Sequence, residues 1–290
     1  MYTQTNEVLL LILIFLLFLL FLLFLLFISC LSKKYKKNEN YKKRKIIDCF
    51  TFYNELKMLE FRLEELYDYV DYFILVECTK TFTNKDKKLY YFQNKDLYSK
   101  YNDKIIHIII DELPEYTGDK WMIEIFQRNS INIGIEKLNL NENDLIIIAD
   151  IDEIPKISSI PNIINDGIYC LEQDMYYYNL NTLVQTDWKH SKVLNYKTYL
   201  KNKIPEEIRH SKCDFTIKNG GWHFSYFGDV NFIINKINNF SHQEYNNYKY
   251  NTKDIIEKKL KNNENLFDNK KLKYIEIENN NLPINYKMLL

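Results

Sequence analysis

The run Leu145-Ile-Ile-Ile-Ala149 narrows the folds open to this chain more than any other segment. Because it is apolar throughout, with no alternation of apolar and polar positions, it predicts a strand buried on both faces of a sheet. Three carboxylates follow it within four residues, on Asp150, Asp152 and Glu153. In open α/β sheets, ligands bind outside the carboxyl ends of the strands. The run therefore predicts an α/β fold with an acidic, ligand-facing edge.

Strand and helix patterns alternate across residues 46–150. Strand-like runs occupy residues 46–52, 72–76 and 105–110. One helical pattern follows Asn54-Glu55 and has Leu at 56, 59, 63 and 66. A second helical pattern spans residues 121–138. This alternation predicts βαβ units around a mainly parallel sheet. After Pro155, residues 167–173 and 175–180 predict short mixed or antiparallel strands, and residues 253–260 predict a helix. We interpret residues 46–290 as one α/β domain whose second half elaborates the ligand side.

Residues 8–28 form an uncharged stretch of 21 residues made almost wholly of Leu, Phe and Ile. At about 1.5 Å per residue, a helix of this length crosses the ~30 Å apolar core of a bilayer. No small-residue cleavage site follows it, so we predict an uncleaved single-pass anchor in residues 1–31 and a basic stalk in residues 32–45. The Lys and Arg residues of the stalk favour a cytosolic body, and one Asn-x-Ser sequon at Asn239 gives luminal glycosylation little support.

Charge and cysteine content exclude several classes of protein. Lys and Arg number 39 and Asp and Glu number 39, so no net charge suggests nucleic acid as a partner. The five cysteines are scattered and odd in number, which supports neither a disulfide framework nor a zinc cluster. Cys49 and Cys78 lie in apolar strand-like runs and are expected to be buried, inert thiols. One oxidised pair stays open, without a choice of partners.

The acidic segment itself suggests a metal. Asp150 and Asp152 are two apart, so in extended chain their side chains point the same way. Two such carboxylates repel each other unless a cation lies between them. Mg²⁺ or Mn²⁺ would fill that place and keep coordination positions open for substrate phosphates. The alternative is a solvated acidic turn at the end of a strand.

From Ile46 to the C-terminus, the chain resembles glycosyltransferase family 17, the β-1,4-mannosyl-glycoprotein β-1,4-N-acetylglucosaminyltransferases that add bisecting GlcNAc. The resemblance rests on several segments taken in order along the chain. These are Asp48-Cys-Phe-Thr-Phe-Tyr-Asn54-Glu55 with Leu59, Arg62 and Leu63; Val76-Glu77 with Thr81-Phe82; Trp121 with Gln127-Arg128; Asp150–Pro155; Gly220-Gly-Trp-His223-Phe-Ser-Tyr-Phe-Gly228; His242-x-Glu244; and Leu282-Pro283.

The resemblance implies a GT-A-like architecture, with a Rossmann-like nucleotide-binding sheet and a mixed C-terminal half, preceded by the transmembrane helix. It implies an inverting, metal-dependent transfer of GlcNAc from UDP-GlcNAc to a glycan or glycoprotein acceptor, with Mn²⁺ or Mg²⁺ as cofactor. By resemblance this is bisecting β-1,4-GlcNAc on the β-mannose of N-glycans. It also implies a Golgi- or ER-type luminal location, which the basic stalk opposes. The catalytic region is compact, so insertions that bind the acceptor in other family members could be absent. This fits an enzyme that retains the family's sugar donor and uses a different acceptor.

Carried over by position, the resemblance assigns roles to individual residues. The donor-binding set is Asn54, Glu55, Glu77, Arg128, Asp150 and Trp222; the metal set is Asp150, Asp152 and His223; and the catalytic set is Asp152, Glu153, Asp214 and Glu244. Several alternatives stay open. Asn54 is equally a helix cap, Arg128 a surface residue, His223 a core histidine, and Trp222 a core aromatic. The general base is not distinguished among Glu153, Asp174, Asp214, Asp229 and Glu244.

Two other functions compete with this one. A metal-dependent phosphohydrolase also uses an Asp-x-Asp motif, but there the motif follows the first strand, whereas here about three candidate strands precede it. A membrane-anchored, catalytically inactive glycan-binding or structural protein is the other alternative. The intact Asp150 and Asp152 argue against loss of activity.

Overall fold

A ten-stranded mixed sheet organises this protein. The computed structural model describes residues 44–268, 270–279 and 281–290, of which residues 45–290 belong to one unit. The strands are β1 (Ile46–Phe52), β2 (Tyr72–Cys78), β3 (Ile105–Ile110), β4 (Leu145–Asp150), β5 (Glu153–Pro155), β6 (Tyr169–Tyr177), β7 (Thr182–Trp188), β8 (Lys192–Asn195), β9 (Phe215–Ser225) and β10 (Lys273–Tyr274).

The helices lie on the two faces and at the ligand edge of this sheet. The α-helices are α1 (Leu56–Leu66), α2 (Tyr90–Asn94), α3 (Met122–Asn129), α4 (Ile131–Ile135), α5 (Tyr196–Asn202), α6 (Pro205–His210), α7 (Val230–Asn239) and α8 (Lys253–Asn262). Short 3₁₀ helices occupy Lys95–Tyr101, Ile157–Ser159, Gln243–Tyr245, Ile277–Asn279 and Tyr286–Leu289.

The parallel half of the sheet runs in the order β4-β1-β2-β3. β1, β2 and β4 are buried on both faces, as the apolar runs predict, whereas β3 at the edge is partly exposed. Phe50 and Ile147 pack on the side of α1, whereas Cys49 and Ile148 pack on the side of α4. Thr51 of β1 is in register with Asp150 of β4, so the two strands end together. The predicted α/β sheet with its acidic edge is confirmed.

The second half is mixed, and β5 and β9 bring its residues to the acidic segment. β5 pairs antiparallel with β9, which sets Glu153 opposite His223 and Ile154 opposite Trp222. Gly221 makes this pairing possible. Its φ is +141°, and an added Cβ would lie 2.1 Å from the Ile154 carbonyl oxygen, so a larger residue would force the strands apart.

Three sequence predictions differ from the structure. The helical stretch of residues 121–138 is divided at Ser130 into α3 and α4. The segments 167–173 and 175–180 form the single strand β6, with register shifts against its neighbours. Neither Asn54 nor Glu55 caps α1 with its side chain: Glu55 bonds back to the amides of Tyr53 and Asn54, and Asn54 bonds to Asn235.

The cysteines fall into two groups. Cys49 and Cys78 are free and buried, as predicted. A disulfide joins Cys170 to Cys213, which is the pair that the sequence could not choose. The predicted anchor, residues 1–31, and the predicted stalk up to residue 43 lie outside the described residues. Among the residues described, no helix has the length and apolar character needed to cross a membrane.

Candidate functional site

The acidic segment forms a turn where β4 ends and β5 begins. Asp150 is the last residue of β4, Ile151 and Asp152 form the turn, and Glu153 begins β5. Because the chain turns here, Asp150 and Asp152 do not follow the alternation of an extended strand. Each carboxylate has partners of its own. The extended backbone that the sequence analysis assumed between them is therefore wrong.

Glu153 is the structural centre of this turn. It is fully buried, and its carboxylate accepts hydrogen bonds from Trp188 Nε1 (2.6 Å), Ser191 Oγ (2.8 Å), Arg209 (2.7 and 2.9 Å) and the Asp150 amide (2.9 Å). Burial alone would raise the pKa of Glu153, but Arg209 outweighs it and holds that pKa well below its usual range. A carboxylate so occupied positions its neighbours and is closed to a substrate proton.

Asp150 lies between two guanidinium groups. Its Oδ2 is 2.7 Å from Arg209, and its Oδ1 is 3.1 Å from Arg128. Arg128 is itself buried and also pairs with Glu124 at 2.9 Å and with Glu206. The surface alternative for Arg128 is therefore wrong. Both guanidinium groups are thus held by carboxylates, and Nε of Arg128 is buried without a partner among the described residues.

Asp152 faces a different pair of groups. Its Oδ2 is 2.8 Å from Lys236 Nζ, and its Oδ1 is 3.4 Å from His223 Nε2. Burial would raise the pKa of Asp152, but Lys236 and His223 outweigh it and hold the pKa far below the ordinary value. Nδ1 of His223 is buried, and no described residue bonds to it. Asp152 and His223 thus place an oxygen and a nitrogen side by side.

Two cavities flank these carboxylates. The first, of about 70 Å³, lies beyond the end of β1 and is lined by Tyr53, Glu55, Gln127 and Lys236, among others. The second, of about 310 Å³, lies between the end of β7 and α6 and is lined by Arg209 and Trp188, among others. Lys236 links Asp152 to the first cavity, and Arg209 links Asp150 and Glu153 to the second.

Comparison with known proteins identifies the family of this chain. The family model described as glycosyltransferase family 17 matches residues 12–279, which is most of the chain. The chain belongs to glycosyltransferase family 17. The acidic turn, the buried arginines and both cavities all fall within the matched residues.

Three curated proteins of one name are similar to part of this chain. The beta-1,4-mannosyl-glycoprotein 4-beta-N-acetylglucosaminyltransferases of Rattus norvegicus and Homo sapiens are each 27% identical to it over 117 residues, which is 39% of this chain and 22% of theirs. The mouse protein of the same name is 26% identical over the same length. The matched stretch thus spans about a fifth of the length of these relatives.

The family resemblance implies a divalent cation, and the residues present fit one in part. Within residues 44–268, 270–279 and 281–290, no group of three or more His, Cys, Asp and Glu side chains could hold a metal ion. The Asp152–His223 pair nevertheless provides a carboxylate oxygen, the kind of ligand that Mn²⁺ and Mg²⁺ prefer, with an imidazole nitrogen beside it. Mg²⁺ is usually held by one or two carboxylates together with substrate phosphates. The pair fits a cation shared with a diphosphate; Asp150 instead bonds to its two arginines.

The other residues predicted to bind the sugar donor lie partly at the smaller cavity and partly in the hydrophobic core. Glu55 lines the smaller cavity, and Asn54 precedes it at the end of β1. Glu77 is fully buried and accepts hydrogen bonds from the amides of Tyr91 and Phe92 and from His107, so it holds the first turn of α2 next to β3. Trp222 is buried and packs in the main core, which favours the core alternative for its ring.

Of the other candidate bases, Asp174 lies in β6 opposite Trp222, beside the Met175–His223 pair, whereas Asp214, Asp229 and Glu244 bond to groups outside the turn. Asp214 accepts a hydrogen bond from the Ile168 amide just before β6. Met175, which pairs with His223, lies roughly 20 Å farther along β6 than Ile168, at about 3.3 Å per residue. Asp214 is therefore far from His223. Glu244 is exposed and pairs with Lys120 and His242. Asp229 caps α7 through the Phe232 amide.

Sequence reasoning missed the basic partners of the site. Arg209 lies on α6 and Lys236 on α7, so their contacts with the acidic turn arise only when the chain folds. Trp188 and Ser191, which fix Glu153, flank a short polar stretch between β7 and β8. That aromatic and polar stretch between two strand-like runs was the one local signal available.

Proposed function

We propose that this family 17 chain transfers N-acetylglucosamine from UDP-GlcNAc to a glycan acceptor, with inversion at the anomeric carbon. The observation that carries the proposal is the buried Asp152–His223 pair, with Lys236 beside it, at the carboxyl edge of the parallel strands. The parallel half and the mixed half of the sheet support a GT-A-like fold. The names of the curated relatives suggest the donor sugar and the acceptor class.

The donor nucleotide would lie over the ends of β1 and β4. The smaller cavity is lined there by Tyr53 and Glu55, whose ring and carboxylate suit a base and a ribose hydroxyl. The same cavity reaches Lys236, and Lys236 reaches Asp152. A nucleoside in the cavity would thus direct its diphosphate toward the basic groups around the acidic turn.

Asp152 and His223 would hold the divalent cation, which when bound neutralises charge on the departing diphosphate. Lys236 adds a positive charge at the same carboxylate, and Arg128 and Arg209 add two more at Asp150. Glu153 holds Arg209 and Trp188 in place from below. The preorganised cations of the turn stabilise charge where the leaving group forms.

An inverting transfer also needs a base for the acceptor hydroxyl. Glu153 is buried and fully hydrogen-bonded, so we assign this role to Asp187 instead. Asp187 is exposed, lines the larger cavity, and precedes Trp188, whose indole binds Glu153. It is the one acidic side chain among the residues lining that cavity.

The location that we propose is the lumen of the secretory pathway, with the chain anchored by residues 8–28. The Cys170–Cys213 disulfide supports this side of the membrane, because disulfides persist in oxidising compartments. The basic stalk argues for the other side. Protease protection of the body in sealed microsomes distinguishes the two, since a luminal body is protected until detergent is added.

The function is tested with the full-length chain in detergent. UDP release from UDP-GlcNAc is measured with and without Mn²⁺, and transfer is measured by mass spectrometry against a glycan panel. We expect Mn²⁺-dependent UDP release and a mass increase of one N-acetylhexosamine. A chain that binds glycans but never releases UDP would instead be an inactive glycan-binding protein, and the proposal would be wrong.

A further inference from the structure

The larger cavity lies beside the proposed site of transfer, and different residues line it from those of the smaller cavity. Its walls come from the end of β7, the beginning of β8 and the end of α6. Arg209 and Trp188 line it, and both bind Glu153 of the acidic turn. A ligand in this cavity would therefore lie next to the acidic turn and the proposed donor site.

Basic side chains dominate the walls. Lys189, Lys192 and Arg209 line the cavity, and Asp187 is the one acidic side chain among its lining residues. Two of these cations already have partners. Arg209 pairs with Asp150 and Glu153, and Lys189 pairs with Glu172 at 3.0 Å. The remaining cation is Lys192.

Lys192 is buried without a counter-ion. It is 3% exposed, and its Nζ donates to the Lys189 carbonyl at 2.7 Å and lies 3.1 Å from Sγ of Cys170. No carboxylate in the part of the chain that the structure describes forms an ion pair with it. Burying an ammonium group without an opposite charge is costly, and an anion in the cavity would offset that cost.

An aromatic surface adjoins this lysine. The ring of Trp188 lies 4.3 Å from that of His190, and both residues line the cavity. The hydrogen bond from Trp188 Nε1 to Glu153 fixes the indole. A fixed aromatic ring beside polar groups suits the apolar face of a sugar ring. The cavity thus combines a surface for a sugar with a buried, unpaired positive charge.

We infer that this cavity binds the acceptor and selects a glycan whose sugar carries an anionic group: a carboxylate, sulfate or phosphate. The inference rests on the proposed function, because it names the acceptor class of the same transfer. Lys192 would pair with the anionic group, Trp188 would contact the ring, and Asp187 would face the acceptor hydroxyl.

The test compares matched neutral and acidic sugars on the full-length chain in detergent. Binding of glucose, glucuronic acid, glucose 6-sulfate and glucose 6-phosphate is measured by ligand-observed NMR in the presence of UDP and Mn²⁺. Transfer is then measured to oligosaccharides ending in these same sugars. We expect the acidic members to bind and react about tenfold better than glucose, as one charge-assisted hydrogen bond implies.

The decisive variant is Lys192→Met, which keeps the length of the side chain and removes the charge. It should lose the tenfold preference while UDP release from UDP-GlcNAc in the absence of acceptor stays at the wild-type rate. Lys201→Met, an exposed lysine on α5, is the matched control and should keep the preference. Thermal unfolding verifies that both variants are folded.

Two results would overturn the inference. The wild-type protein could treat neutral and acidic sugars alike, or Lys192→Met could keep the preference. If Lys192→Met kept the preference and also weakened UDP binding, the cavity would bind the donor. A failure of the proposed function looks different: acidic sugars would still bind preferentially by NMR, but no nucleotide sugar would be turned over.

Discussion

Lys236 holds its ammonium group 2.8 Å from Oδ2 of Asp152, a residue 84 positions earlier in the chain. The contact is partly buried, and the lysine side chain is 21% exposed where it meets the smaller cavity. It brings a positive charge to the carboxylate that we propose as a metal ligand. A cation that binds Asp152 must therefore displace this ammonium or share the carboxylate with it.

Replacing Lys236 with Met should tighten Mn²⁺ binding and weaken UDP binding. Without the ammonium, Mn²⁺ no longer competes for Oδ2 of Asp152, and we expect an affinity about tenfold higher, as for one hydrogen bond to a charged group. Mn²⁺ affinity is measured by electron paramagnetic resonance of the free ion, and UDP affinity by calorimetry. Lys85→Met is the control, because Lys85 also lies near α7 but donates to the Asn238 carbonyl and not to Asp152. Unchanged Mn²⁺ affinity would mean that Lys236 and the metal do not share Asp152.

Asp152→Asn should remove most turnover and leave the fold intact. The amide is isosteric, and Lys236 retains contact with water through its exposed fraction. We expect a loss of about 100-fold or more in UDP release, typical for the removal of one charge that stabilises a transition state. Asp166→Asn, on an exposed carboxylate paired with Lys197, should change nothing. Wild-type turnover in Asp152→Asn, with circular dichroism unchanged, would remove the metal hypothesis.

Glu153→Gln should destabilise the protein, because it leaves the buried Arg209 with Asp150 as its remaining carboxylate. Breaking a buried ion pair from one side costs about 3–5 kcal/mol. The control Glu64→Gln breaks the surface pair with Lys100 and should cost about 1 kcal/mol or less. Urea unfolding at neutral pH compares the two, and equal small losses would contradict a structural role for Glu153.

The same residue predicts a dependence on pH. The pKa of Glu153 is lowered well below 4.5 in the folded protein, because Arg209 outweighs the effect of burial. The stability that this carboxylate contributes is therefore present above about pH 4.5 and is lost as the pH falls toward the folded pKa. The difference between wild type and Glu153→Gln should shrink on acidification.

The parallel half of the fold could be predicted because its sequence patterns are local. The run Leu145–Ala149 is apolar throughout and Ile46–Phe52 is mostly so, and only a doubly covered strand buries both faces of such a run. The acidic edge followed from the same argument, since Asp150 comes directly after its strand. The turn at Ile151 and Asp152 did not, because it depends on β5 pairing with β9, far along the chain.

The partners of the carboxylates could not be predicted, for a different reason. Arg209 and Lys236 are two basic residues in a chain that contains 39, and nothing in their neighbouring residues marks them. They reach Asp150 and Asp152 only because α6 and α7 lie at the ligand edge of the sheet. Such contacts depend on tertiary packing, whereas a strand is encoded in a few consecutive residues.

Lys192→Met should stabilise the protein near neutral pH, and the gain should disappear in alkali. Burial and the neighbouring Arg209 lower the pKa of Lys192 from 10.5 to about 8, although Glu153 acts in the opposite direction. His190, Lys189 and the Cys170–Cys213 disulfide are the other groups facing it.

The direction of this change in stability with pH follows from proton binding. Between about pH 8 and 10.5 the unfolded chain holds a proton on this lysine that the folded chain has released, so wild-type stability rises with pH across that window. The variant lacks this titration. Its melting temperature should exceed that of wild type near pH 7, and the difference should narrow as the pH approaches 10. A constant difference at all pH values would mean that Lys192 is not a buried, strained cation.

Asp187→Asn should separate transfer from donor breakdown. If Asp187 takes the proton from the acceptor hydroxyl, its amide cannot, and transfer should fall by about 100-fold or more. UDP release to water and UDP binding should stay near wild-type values, because Asp187 lines the larger cavity and the donor groups surround the smaller one. Both rates come from one assay in which UDP release is followed with and without acceptor. Glu172→Gln, which breaks the neighbouring pair with Lys189, is the control and should leave both rates unchanged. Equal losses of transfer and of UDP release would place Asp187 on the donor side, and undiminished transfer would assign the base to another group.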